Sequence, residues 1–144
     1  MISVAIVTRR LKQGKTYDDF RKAWYHTTGF GTFSKLYTML NVNDPREITV
    51  IGFVEMSVED ATKELEIDVK ERLDHGLDNI IEPNIMRKFG ILVSEDDFSA
   101  EGNIDYQSAS INGKETNINE VSSNLHQLAK AIKQASEKRD KAKK

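Results

Sequence analysis

The sequence of 144 residues predicts an α+β fold with the element order strand, helix, strand, strand, helix, strand. Three observations predict it: a β-branched N-terminal segment, two helix-start signals that each precede an apolar stripe, and the segment Arg46–Met56, which is largely apolar on both sides. Apolar residues on both sides are typical of a central strand with each face covered. Two crossovers around a hairpin give the ferredoxin-like arrangement, an antiparallel sheet of order 4-1-3-2 with both helices on one face.

The first strand and the first helix are predicted from residue type and spacing. Ile2–Arg10 is rich in β-branched residues, which favours a strand. Thr16 can cap the first helix, because Asp19 follows three residues later as in a capping box. Gly29 is expected to end the helix. Spacings of three and four place one set of residues on a single face: Phe20, Ala23, Trp24 and Thr27.

The two middle strands are predicted to form a hairpin. Lys35–Val42 is the second strand, the turn Asn43-Asp44-Pro45 follows, and the third strand begins at Arg46. Gly52 leaves a gap on one face of the third strand, where a helix or a ligand can approach the backbone.

A second helix and a fourth strand complete the domain, which we expect to span residues 1–97. Ser57 and Asp60 form another capping box, and the helix is expected to run to about Asp74. Asn84–Ser94 is the last strand. The apolar face of the helix is formed by Val58, Ala61, Leu65, Val69 and Leu73.

The remainder of the chain differs in composition. Residues 98–118 have little apolar content and no periodicity, which predicts a polar linker. Residues 119–144 predict an amphipathic C-terminal helix with a basic end, capped by Asn119. Its apolar stripe can dock on another surface, and we expect that surface to be a second subunit rather than its own domain. The stripe consists of Val121, Leu125, Leu128, Ile132 and Ala135.

Composition excludes several classes of protein. A net charge of −2 argues against general nucleic-acid binding, and the absence of cysteine excludes disulfides and thiolate metal sites. No apolar run approaches the roughly 20 residues of a membrane span. The three histidines are scattered and no nucleotide-binding motif is present, so we expect no metal site and no cofactor. A cytoplasmic protein is the expectation.

A few side chains could carry chemistry, and each has a structural alternative. His26 could move a proton or bind a ligand, or it could be a partly exposed residue in the last turn of the first helix. Trp24 could stack a planar ligand or belong to the core, and Tyr37 could donate a hydrogen bond or lie at an interface. Any of three arginines could clamp a carboxylate, or could pair with surface acids: Arg9, Arg46 and Arg87.

The strand pattern, together with Phe20, Trp24 and His26 in TYDDFRKAWYHTTGFG, resembles the dimeric α+β barrel superfamily. That superfamily includes the antibiotic-biosynthesis monooxygenases and the EthD-like proteins. The resemblance covers residues 1–97. It implies a ligand cavity between sheet and helices, and association of two sheets into a barrel. A homodimer through the sheet face without helices is therefore expected, as the two-sided apolarity of the third strand also suggests.

Two functions of different classes follow. The first is a cofactor-independent oxygenase or isomerase acting on a hydrophobic, oxygen-bearing small molecule. In it His26 is the acid or base and Trp24, Tyr37, Gly52 and Arg87 bind the ligand. Its specific content comes from the resemblance. The second is a non-catalytic module that binds a ligand or assembles, with the C-terminal helix recruiting a partner. A cavity with convergent polar groups would favour the first.

Overall fold

Four antiparallel strands form one sheet in the computed structural model, which describes residues 1–61, 63 and 76–142. The sheet order is β2-β3-β1-β4, which is the predicted order read from the opposite edge. With the C-terminal helix, this makes the α+β fold that the sequence predicts, and the order is compatible with a ferredoxin-like arrangement. The strands are β1 (Ile2–Arg10), β2 (Ser34–Leu40), β3 (Glu47–Glu55) and β4 (Met86–Ile91).

The register of the strands determines which side chains share a face. Gly52 on β3 pairs with Ala5 on β1 and with Leu36 on β2, and Ala5 pairs with Phe89 on β4. These four residues form one row across the sheet, on the face that also carries Ile48. The row has its two smallest side chains at the centre and its two largest at the edges.

Helix α1 (Tyr17–Trp24) begins as predicted and ends earlier than predicted. The Asp19 amide donates to Thr16 Oγ1 at 3.2 Å, and the Thr16 amide donates to Asp19 Oδ2 at 2.9 Å, which completes the capping box. Tyr25 is already extended (φ −60°, ψ 130°), so the expected continuation to Gly29 is wrong. The β-branched pair that follows, Thr27 and Thr28, has low helix propensity.

The core lies between α1 and one end of the sheet. Phe20 and Ile48 are almost completely buried there, together with Leu77, the first residue of the 3-10 turn Leu77–Asn79, and Ile81. The buried cluster consists of Leu11, Phe20, Ile48, Val50, Leu77 and Ile81.

The second predicted helix begins where expected. Residues 58–61 are helical, and the Asp60 amide donates to Ser57 Oγ at 3.1 Å. Most of the predicted length to Asp74, and His75 after it, lie outside the described residues.

The predicted linker contains a small hairpin. Strands β5 (Ser110–Ile111) and β6 (Lys114–Glu115) are joined by Asn112 and Gly113, whose φ values of 51° and 77° are those of a type I′ turn. Thr116 Oγ1 donates to the Val93 carbonyl at 2.6 Å, which ties the hairpin to the chain just after β4. Residues 98–109 are exposed.

Helix α2 (Ile118–Ala142) packs on its own domain, which differs from the expected docking across a dimer. Leu128 and Ala131 are buried within the single chain, whereas Leu125 is 43% exposed. The helix begins earlier than expected, because Asn117 Oδ1 accepts from the amides of Asn119 and Glu120 at 3.1 and 3.2 Å. Within the described residues, α2 and the other helices are too short or too polar to cross a bilayer.

Candidate ligand-binding site

A cavity of about 330 Å³ lies on the helix-bearing side of the sheet. The sheet forms its floor, the end of α1 and the following loop form one wall, and α2 contributes Leu128 and Ile132 opposite. Ala61 in the helical turn after β3 completes the described lining on that side. Most of these side chains are apolar.

The floor of the cavity follows from the register of the sheet. Gly52 and Ala5 are paired at the centre of the row that Leu36 and Phe89 flank, and all four line the cavity. A Cβ atom added to Gly52 would lie 3.4 Å from Leu36 Cγ, so Leu36 leans over the glycine. Two small side chains at the centre of the floor leave space that larger residues would fill.

Aromatic rings form a continuous wall. Phe20 is stacked on Trp24 with ring centroids 5.9 Å apart, and Trp24 lies 5.5 Å from the ring of His26. The rings of His26 and Phe30 are nearly perpendicular, with centroids 5.7 Å apart. His26 takes this position because α1 ends at Trp24 and the chain leaves the helix at Tyr25. The alternative that His26 belongs to the last turn of the first helix is therefore wrong. Trp24, His26 and Phe30 all line the cavity.

The polar groups of the lining differ in burial. Arg9 has only 5% of its surface exposed, and its Cζ lies 5.9 Å from the ring centroid of Phe20. Ser3 Oγ donates to the Val54 carbonyl at 3.2 Å, so that hydroxyl is engaged within the sheet. Thr28 is exposed at the loop.

The structure brings together three of the residues that the sequence singles out. Trp24, His26 and Gly52 line the cavity. Tyr37 lies on the opposite face of the sheet and is 58% exposed; its ring is nearly perpendicular to that of Phe53, with centroids 6.1 Å apart. Arg87 on β4 is half-buried and pairs with Val7 on β1. It lies next to the described lining of the cavity and is not part of it.

Other lining residues escape sequence reasoning. Phe89, Phe30 and Leu128 carried no signal of a shared site, because they come from three distant segments. Ala5 could have been noticed as a small residue within an apolar strand, as Gly52 was. Ala5 contributes to the cavity floor only because it pairs with Gly52, and the spacing of residues along the chain does not reveal that pairing.

A second, more open cleft of about 640 Å³ adjoins the cavity on the outer side of the loop after α1. Trp24, His26 and Phe30 line both spaces. Arg21 and Thr38 add polar groups to the cleft. The loop therefore separates the cavity from the outer surface, and its aromatic side chains lie between the two.

The displaced pKa values among the described residues belong to groups that do not line the cavity. The hydrogen bond from Arg10 lowers the pKa of Asp44, and the Thr16 amide lowers the pKa of Asp19. The described residues contain no cluster of three acidic or histidine side chains that could hold a metal ion.

Comparison of the chain with protein-family models, with curated proteins and with solved structures finds no match.

Proposed function

We propose that this protein binds a small, largely apolar molecule in the cavity above Gly52 and Ala5. The observation that carries the proposal is the pair of small side chains at the centre of the floor, beside an aromatic wall. The volume of about 330 Å³ is at the lower end of the range of roughly 300–1,000 Å³ for ligand sites. Apolar walls with few polar groups are typical of such sites.

Ligand binding can be tested through Trp24, the single tryptophan of the chain, because it lines the cavity. Octan-1-ol is a suitable neutral probe, since it does not absorb where tryptophan does. Saturable change in Trp24 fluorescence is expected on titration.

A matched pair of variants on β1 locates the binding. Ala5→Leu fills the floor and should weaken octan-1-ol binding at least about tenfold, a cost of roughly 1.4 kcal/mol. Ile6→Phe enlarges a side chain on the opposite face and should leave binding unchanged. Equal effects of the two variants, or no fluorescence response in the unmodified protein, would contradict the proposal.

The enzymatic form of this function is a cofactor-independent oxygenase or isomerase. His26 supports it, because its imidazole lies in the cavity wall, and histidine is the side chain that most often serves as a general acid or base. Once a converted substrate is found, the His26→Gln variant tests catalysis. If the variant still binds octan-1-ol but no longer turns the substrate over, His26 is the catalytic acid or base. Full turnover by that variant would leave binding alone as the function.

The second part of the proposal is a homodimer that completes a ferredoxin-like α+β barrel. The sheet face away from α1 supports it, since Tyr37, Met39 and Met86 are each more than half exposed there, beside the half-buried Ile51 and Phe53. Apolar patches of this kind mark interaction surfaces. A second copy presents the same patch, so a two-fold axis would make the contact self-complementary.

Sedimentation velocity at micromolar concentration tests the dimer. Tyr37→Glu should shift the protein to monomer, because it places a charge within the patch. Tyr25→Glu is the matched control, since Tyr25 is similarly exposed, at 51%, but lies outside the sheet. A folded monomer for the unmodified protein would contradict this part and leave ligand binding unaffected.

A further inference from the structure

The cavity contains an unusual charge. Among the described residues, Arg9 is the charged side chain that is buried most completely, and it lines a cavity whose other walls are mostly apolar. It lies on β1 in the alternating set that includes Ala5 and Val7, four residues or about 13 Å from Ala5 along the strand.

Burial of a guanidinium needs a compensating interaction. An arginine stays protonated in proteins, and transfer of a charge from water to an apolar environment is costly. A valine, as at position 7, would suit an apolar floor better. Arg9 Cζ lies 5.9 Å from the ring centroid of Phe20, within the range of a cation–π interaction, which offsets part of that cost. A guanidinium carries five N–H donors in one plane, so it can bind a protein acceptor and a ligand acceptor at the same time.

The structure also distinguishes between the arginines. Arg46 donates to the Leu11 carbonyl at 2.7 Å and to Glu82 at 3.2 Å, at the end of the sheet away from Gly52. Arg10 is paired with Asp44 and Glu82. Arg87 lies beside the described lining. Arg9 is thus the arginine of the described residues that reaches the cavity.

We infer that the molecule bound in this cavity is an apolar carboxylate, with its carboxylate on Arg9 and its apolar part over Val7, Ala5 and Gly52 towards Trp24. This inference rests on the proposed ligand-binding function and adds the chemical class of the ligand. A planar guanidinium matches a carboxylate through two parallel hydrogen bonds. The distance of about 13 Å between Arg9 and Ala5 suits a chain of medium length or an aryl acid.

Three probes with one hydrocarbon chain test the inference on the full-length protein: octanoate, octan-1-ol and octylamine. Binding is measured by Trp24 fluorescence and by calorimetry near neutral pH. We expect octanoate to bind roughly 10- to 100-fold more tightly than octan-1-ol, because a charge-assisted pair replaces a neutral contact. Octylamine should bind most weakly, since its charge has the same sign as Arg9.

Variants assign the preference to Arg9. Arg9→Met should remove the advantage of octanoate over octan-1-ol, and Arg9→Lys should retain part of it. Arg10→Met is the matched control on the neighbouring position, whose side chain points to the other face, and it should keep the ranking of the unmodified protein.

Each outcome is decisive. Equal binding of octanoate and octan-1-ol by the unmodified protein would overturn the carboxylate inference while ligand binding stands. Failure of octan-1-ol to bind would contradict the proposed function itself. If Arg9→Met does not fold, the ranking of the three probes on the unmodified protein and on Arg9→Lys gives the answer.

Discussion

At the scale of single residues, the candidate site is defined by two small side chains, Ala5 and Gly52, and by one charged side chain, Arg9. Ala5 and Gly52 are paired neighbours at the centre of the sheet, and together they leave the space that Leu36 and Phe89 enclose from the sides. Arg9 adds a positive charge to an otherwise apolar floor. The shape of the site and its polarity therefore come from different residues of the same strand face.

Thr16 makes a local contribution that can be measured separately. Its side chain caps α1, which carries Phe20 and Trp24 towards the core and the cavity. Thr16→Ala should lower the free energy of unfolding by about 1 kcal/mol, because the amide of Asp19 loses its acceptor. Urea denaturation checks this. Thr27→Ala, an exposed threonine after the helix, is the control and should change stability by less than about 0.5 kcal/mol.

At the scale of secondary-structure elements, α2 is the part whose position the sequence leaves open. Successive residues of a helix are rotated by about 100°, so Leu125 and Ala131 lie about 60° to either side of Leu128. The domain covers the side of Ala131, where a small side chain permits close approach, and Leu125 is left 43% exposed. The helix thereby brings Leu128 and Ile132 to the cavity wall.

Two leucines of α2 provide a matched test of this packing. Leu128→Ala should lower the free energy of unfolding by roughly 2–3 kcal/mol, because it removes a buried side chain from the contact with the domain. Leu125→Ala should cost less than about 1 kcal/mol, since that side chain is already largely in water. Equal losses in chemical denaturation would show that α2 uses the whole predicted stripe.

At the scale of the whole molecule, a charged network closes the end of the sheet. Arg10 binds Asp44 at 2.8 Å and Glu82 at 3.2 Å, and Arg46 binds Glu82 at 3.2 Å. The network joins the end of β1 to the turn between β2 and β3 and to the chain after the 3-10 turn. The hydrogen bond from Arg10 lowers the pKa of Asp44 below its ordinary value and raises the pKa of Arg10.

The lowered pKa of Asp44 predicts the sign of an acid effect. The carboxylate is stabilised in the folded state, so its contribution is present above the ordinary pKa of an aspartate and is lost as the pH falls through the folded-state value. Asp44→Asn should therefore reduce the loss of thermal stability between about pH 6 and pH 3. Asp105→Asn, at an exposed carboxylate, should leave the pH profile unchanged. Identical profiles for Asp44→Asn and the unmodified protein would contradict the assignment. The effect should be small, because Asp44 and Arg10 are partly exposed and solvent screens their interaction.

The strands and their order were predictable from residue pattern. Strand β1 has its predicted bounds and the other three lie within two or three residues of theirs, since alternation and turn residues act locally. The first capping box is likewise formed as predicted, because its partners are three residues apart. The hairpin of β5 and β6 has the turn signal Asn112-Gly113, but the polar composition of residues 98–118 predicts a linker there.

Local residue patterns specify the strands and the capped helix starts, because these depend on neighbours within a few residues. The order of the sheet was predictable from the sequence of elements and the handedness of crossovers. The end of α1, the buried side of α2 and the arginine that faces the cavity depend instead on contacts between distant segments. The pairing of Ala5 with Gly52 shows why. Two residues 47 positions apart become one floor only when their strands align, and no local pattern records that alignment.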